Sequence, residues 1–262
     1  MKAAPIETGT DELLCELNSR VATITLNRPK AKNAVNLAVA KGIAAAIDEL
    51  DSNKDIRVGI ITGSGATFCA GMDLKAFITG ELPMLEGRGF AGLVEALPKK
   101  PMIAAVEGFA LAGGLEIALS CDLIVAADNS QFGIPEVKRG LVAAAGGLMR
   151  LPHQMPPRLA MELALTGDPM SAQRAVELGL INKVVAPGAV LEAAREYART
   201  IVANGPLAVT VSKQIMLDSQ DWSQQEMFAK QMEIALPVFT SKDATEGSVA
   251  FAEKRAPNWS GE

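Results

Sequence analysis

Short apolar runs, each closed by a glycine turn or a polar step, constrain what this chain can fold into more than any other feature. Val58-Gly-Ile-Ile-Thr62 ends at Gly63-Ser-Gly65, and Met102-Ile-Ala-Ala-Val106 runs into Gly108. Leu123-Ile-Val-Ala126 follows Cys121-Asp122. Runs of this length and composition read as buried strands. Leu13–Leu17 and Val21–Leu26 read as a strand pair around the Asn18-Ser-Arg20 turn. Leu37–Leu50 has apolar residues at 39, 43, 46, 47 and 50, the spacing of a helix with one buried face. Strands alternating with helices predict an α/β fold, and periodicity alone would suggest a doubly wound sheet. From about Pro187 the pattern becomes helical over Ala189–Ala203, Pro206–Leu217, Gln224–Phe239 and Ala244–Arg255. Asn204-Gly205 closes one helix and Pro206 opens the next. This tail is expected to serve assembly, with helices that only cover the core as the other reading. The expected division is residues 1–200 as the α/β core and 201–262 as a helical extension.

Composition excludes several function classes. The 262 residues are 49% hydrophobic and 21% charged, which suits a globular protein with a sizeable core. A net charge of −5 leaves no basic excess to neutralise nucleic-acid phosphates, and 4% aromatic residues leave little material for base stacking. Cys15, Cys69 and Cys121 are too few and too scattered for a disulfide framework or a zinc site, so buried thiols are expected. No apolar run approaches the roughly 18 residues of a membrane span. The N-terminus turns polar and acidic at once, unlike a signal peptide, so a cytoplasmic location is expected.

Two glutamates carry the chemistry. Glu116 closes Gly108-Phe-Ala-Leu-Ala-Gly-Gly-Leu-Glu116, and Glu136 closes Phe132-Gly-Ile-Pro-Glu136. Glycines at a helix start leave N–H groups unpaired where the helix dipole is positive, a setting that stabilises a developing oxyanion. A carboxylate in that first turn could equally be a cap. Pro135 makes the Glu136 segment extended or turning rather than mid-helical. Gly63-Ser-Gly65 lacks the third glycine of a dinucleotide fingerprint, since position 68 is Phe. No G-x-S-x-G elbow is present, and His153, the one histidine, reads as structural.

These segments, with Asn27-Arg-Pro-Lys-Ala-Lys-Asn33, Phe68-Cys-Ala-Gly-Met-Asp-Leu74 and Phe251-Ala-Glu-Lys-Arg-Ala-Pro257, resemble the crotonase superfamily, most closely its enoyl-CoA hydratase branch. The resemblance covers most of the chain. It implies a ββα spiral core with a helical C-terminal trimerisation region, acyl-CoA thioester substrates, and trimers that often pair into hexamers. It implies that Glu116 and Glu136 hold one water between them, and that the N–H groups of Met72 and Gly113 form an oxyanion hole. Lys30, Ala31, Ala70, Asp73, Leu74, Lys75, Ala144 and Lys254 are the implied contacts to substrate or coenzyme A, Lys254 serving a neighbouring subunit. No metal and no separate cofactor are implied, coenzyme A being part of the substrate.

The chain also departs from the family pattern. Ala112 stands at the first position of the usual glycine triplet, and Ala143-Ala144 replace a Pro-Gly pair. An alanine N–H donates as well as a glycine one where φ is negative. Hydration of a trans-2-enoyl-CoA to the 3-hydroxyacyl-CoA is the expected reaction. A carnitinyl-CoA dehydratase-like enzyme, an enoyl-CoA isomerase and a non-catalytic acyl-CoA-binding member are the alternatives.

Overall fold

The computed structural model describes residues 4–262. Seven strands form the main sheet in the order Ala4–Ile6, Leu13–Asn18, Val21–Leu26, Val58–Gly63, Met102–Val106, Leu123–Ala127 and Lys183–Val185. The first three are antiparallel, and every later pairing is parallel. In register, Ile24, Ile61, Ala104 and Ile124 form one row across the sheet. All four join the larger core, under the Leu37–Ser52 helix. That helix is capped by Asn36, whose side chain accepts the Val39 N–H at 2.9 Å, and it buries Val39, Ile43, Ala46, Ile47 and Leu50 as its spacing predicts. The alternate residues Ile60, Ile103 and Val125 face the second core. Both faces are therefore covered, as parallel strands require.

A second sheet decides between the two architectures. It pairs Met170–Ser171, Gln131–Gly133 and Phe109–Leu111, and Cys69 is bridged to Ala110 beside it. The chain makes the same excursion three times. Met102–Val106 leads to Phe109–Leu111 and then to the helix Gly113–Leu119. Leu123–Ala127 leads to Gln131–Gly133 and the 3-10 helix Pro135–Arg139, and Val58–Gly63 leads past Cys69 to the helix Leu74–Ile78. This stacking of strand, strand and helix is the crotonase-type spiral, not a doubly wound sheet. Leu111 pairs with Gly133, so the residues that follow each short strand come out on one side.

The first of the C-terminal helices, Val190–Val202, buries Val190, Ala193, Ala194 and Ala198 against the main sheet and so packs with the core. The helices Pro206–Asp218 and Met227–Phe239 bury no residue in this chain, and Phe228, Met232, Leu236 and Phe239 are exposed. Helix Lys242–Glu253 is held by the terminal residues. Its buried Asp243 carboxylate accepts the Ser260 and Gly261 N–H groups at 2.7 and 2.9 Å. All three cysteines are free and buried. No described helix is long and apolar enough to cross a membrane.

Candidate active site

The three spiral turns meet at a cavity of about 430 Å³ whose wall includes Met72, Gly113, Glu116 and Glu136. Each enters for a local reason. The segment carrying Met72 is zipped to the Arg28–Val35 loop. Ala70 N–H donates to the Lys32 carbonyl at 3.0 Å, Val35 N–H to Gly71 at 2.8 Å, and Asp73 N–H to Val35 at 2.8 Å. Buried Asn33 knots that loop, accepting the Arg28 N–H and donating to the Ser64 and Thr67 carbonyls. Asp73 caps the Leu74–Ile78 helix and pairs with Arg28 at 2.9 Å. Neither the Met72 N–H nor the Gly113 N–H donates to any described residue, which leaves both for a ligand. A Cβ built on Gly71 would lie 3.2 Å from the Gly113 nitrogen, so the two donor segments are adjacent.

That adjacency explains the glycines. A Cβ on Gly113 would strike the Phe90 ring at 2.5 Å, and one on Gly114 would strike the Cys69 carbonyl. Ala112 begins the helix at φ 53°, ψ −130°, a region that L-residues rarely occupy. The condition for a harmless departure, negative φ, thus fails at Ala112 and holds at Ala143 and Ala144, which are not in the positive-φ region. The strain there is worth about 1–3 kcal/mol, against roughly 0.5–1 kcal/mol of extra chain entropy for glycine. Ala112→Gly is therefore expected to raise unfolding stability by about 1 kcal/mol. Urea denaturation measures this, and an unchanged or lower midpoint would show that no strain is held at 112.

Glu116 lies in the first turn of the Gly113–Leu119 helix and is 3% exposed. Its Oε1 accepts the N–H groups of Ala145 and Gly147 at 2.7 and 2.9 Å, which leaves Oε2 for another partner. Burial raises its pKa above the ordinary value, opposed by those two donors and by the Arg150 charge. Glu136 sits in a 3-10 helix, a tighter element than the extended or turning segment expected. It stands between the main cavity and a second, largely apolar cavity lined by Ile134, Leu148 and Leu151, among others. Burial there pushes its pKa up to about 7; the Glu116 charge also raises it, while its own backbone N–H and Arg139 pull it down. Its Oε2 is buried with no hydrogen-bond partner among the described residues. A buried polar atom without a partner is costly and calls for a role.

Of the implied contacts, Ala70, Leu74 and Ala144 line the cavity, whereas Lys30, Ala31, Asp73, Lys75 and Lys254 do not. Asp73 is occupied by its helix cap and Arg28. Lys30, Lys75 and Lys254 are exposed. The turn after Gly140 acts through Ala145 and Gly147, not through the Ala143-Ala144 pair. Sequence reasoning missed Lys32, whose Nζ lies 5.8 Å from the Phe109 ring centroid, and Arg139; both line the cavity. Only the three-residue step from Glu136 to Arg139 could have signalled the second.

The model of the enoyl-CoA hydratase/isomerase family matches residues 16–262. The carnitinyl-CoA dehydratase of Salmonella arizonae is 41% identical over 96% of this chain and 99% of its own. Enoyl-CoA hydratase EchA19 of Mycobacterium tuberculosis is 42% identical over 98% of each. A crystal structure of an enoyl-CoA hydratase from Mycobacterium tuberculosis H37Rv superposes with a TM-score of 0.95 at 59% identity, over 97% of this chain and 100% of that one.

Proposed function

Because the chain belongs to the enoyl-CoA hydratase/isomerase family, we propose that it hydrates a trans-2-enoyl-CoA to the 3-hydroxyacyl-CoA. The observation that carries this reading is the pairing of two dissimilar carboxyl groups in one cavity with two free N–H groups. The thioester oxygen accepts from Met72 and Gly113, which stabilise the enolate as charge moves onto it. Glu116, whose two backbone donors oppose the rise in pKa that burial causes, takes a proton from water through Oε2 while the hydroxide oxygen bonds to the β-carbon. Glu136, protonated near neutrality, gives its proton to the α-carbon. Addition leaves Glu116 protonated and Glu136 ionised, and exchange with solvent restores both.

Lys30 and Lys75 adjoin the wall residues Lys32 and Leu74, close enough in the chain to take the phosphates of coenzyme A. An acidic protein needs such local cations to attract a polyanion. The exposed apolar faces of the last helices fit burial against further copies in a trimer or a dimer of trimers, bringing Lys254 to a neighbour's site. Sedimentation at micromolar concentration reads that assembly, and a stable monomer would refute it. Carnitinyl-CoA dehydration runs the same chemistry in reverse and is the second reading, carried by the Salmonella relative. Incubation with a panel of enoyl-CoA thioesters, followed by loss of enoyl-thioester absorbance, tests the function. No turnover of any neutral or charged member would reject it.

A further inference from the structure

We propose that Arg139 determines acyl specificity, making the cavity select substrates that are uncharged beside the β-carbon and reject those carrying a quaternary ammonium there. The proposal rests on the hydratase reading and names its substrate class. Pro135–Arg139 is a 3-10 helix, and residues three apart in such a helix eclipse one another. Glu136 and Arg139 therefore stand on one face, and both line the cavity. Among the described residues Arg139 has no carboxylate partner, its one contact being Nη1 donating to the Pro135 carbonyl at 3.4 Å. The neighbouring cations are engaged: Lys138 with Asp168, and Arg150 with the Val94 and Ala145 carbonyls. Arg139 is exposed, and its charge acts on the Glu136 carboxyl without a salt bridge to it or to any other described carboxylate.

A carnitinyl thioester carries its ammonium on the γ-carbon, one carbon beyond the β-carbon. With the β-carbon between the two glutamates, that cation comes to the Arg139 side of the cavity, and like charges brought close repel there even though Arg139 is exposed at the rim. Lys32 adds a second cation to the same wall. The glutamates are the opposing attraction, but Glu116 is already served by two N–H groups and Arg150, and Glu136 holds its proton in the proposed cycle. Quaternary ammonium groups are commonly received by Trp or Tyr faces. Here Tyr197, Trp222 and Trp259 lie outside the cavity; of the phenylalanines that line it, Phe109 is faced by Lys32, which leaves Phe77 and Phe90 as the weaker aromatic faces. The remaining wall, including Leu74, Phe77, Met84 and Val142, suits an apolar acyl chain.

The test compares kcat/KM for crotonyl-CoA and for its γ-trimethylammonium analogue in wild type, Arg139→Lys, Arg139→Gln and Arg139→Glu. Wild type and Arg139→Lys should favour the neutral thioester at least ~10-fold, the scale of two like charges meeting near a protein surface. The ratio should narrow in Arg139→Gln and narrow further, or invert, in Arg139→Glu. A wild-type preference for the cationic thioester, or a ratio indifferent to residue 139, overturns the proposal. If wild type turns over neither thioester, the hydratase reading fails separately. Calorimetric binding of butyryl-CoA and its γ-trimethylammonium analogue to the same four proteins then decides the role of Arg139 by the same ratio. Circular dichroism checks that each variant is folded.

Discussion

Glu116→Gln and Glu136→Gln are each expected to cut turnover of an enoyl-CoA by at least ~10²-fold, the usual scale of a lost acid or base. The amide keeps the shape of the carboxyl but neither takes nor gives the proton. In Glu116→Gln the side-chain oxygen can still accept from Ala145 and Gly147, so fold and acyl-CoA binding should survive. Glu136→Gln should also change the pH behaviour. The acid form of Glu136 is present below a pKa of about 7 and lost above it, so wild-type turnover should fall as pH rises through that value. Stability carries the same sign. The folded-state pKa lies above the ordinary 4.5, so the folded protein holds this proton more tightly, and stability falls as pH rises from about 4.5 to about 7. Glu136→Gln removes that loss and should be relatively more stable than wild type in alkaline buffer, though less active. Near-wild-type hydration by either variant would make that glutamate a structural residue and end the two-carboxylate reading.

Much of the fold and the centre of the site are legible in the residues, and the limits have physical causes. Glu116 is readable because glycines at a helix start and an acid in its first turn are local features. Glu136 is visible as a candidate through Pro135, but its unpartnered oxygen and raised pKa depend on apolar residues such as Leu148 and Leu151, which belong to a later helix. The spiral is not written in periodicity, since the second sheet is built from strands too short to alternate, such as Phe109–Leu111 and Gln131–Gly133. Only the family resemblance pointed to it. The helix Val190–Val202 is divided more sharply into an apolar and a charged face than Pro206–Asp218 or Met227–Phe239, and it covers the main sheet while they bury nothing in this chain. Spacing shows that it has a face to bury, and tertiary packing decides which surface receives it. Lys32 escaped notice because a surface lysine looks the same whether it points to solvent or into a cavity.

Gly114→Ala is expected to cost about 10²–10³ in kcat, the scale of a lost oxyanion donor. The backbone at 114 is helical, and alanine is the better helix former there by about 1 kcal/mol. Conformational preference therefore favours the variant, and any loss must come from space. The new Cβ meets the Cys69 carbonyl and approaches the Cys69 Cβ at 2.9 Å. That carbonyl cannot swing aside, because it accepts the Leu111 N–H at 3.0 Å. The helix must retreat from the Cys69–Met72 segment instead, which parts the Gly113 N–H from the Met72 N–H. Overpacking of this kind should also lower stability by about 1–3 kcal/mol. Gly113→Ala provides the contrast, since its Cβ meets the Phe90 side chain rather than backbone. Trimming Phe90 to Leu should restore much of the activity of Gly113→Ala and none of that of Gly114→Ala. If Gly114→Ala retained wild-type kcat, or if Phe90→Leu rescued both variants equally, the two N–H groups would not be acting as a pair, and the oxyanion would have to be held elsewhere in the cavity.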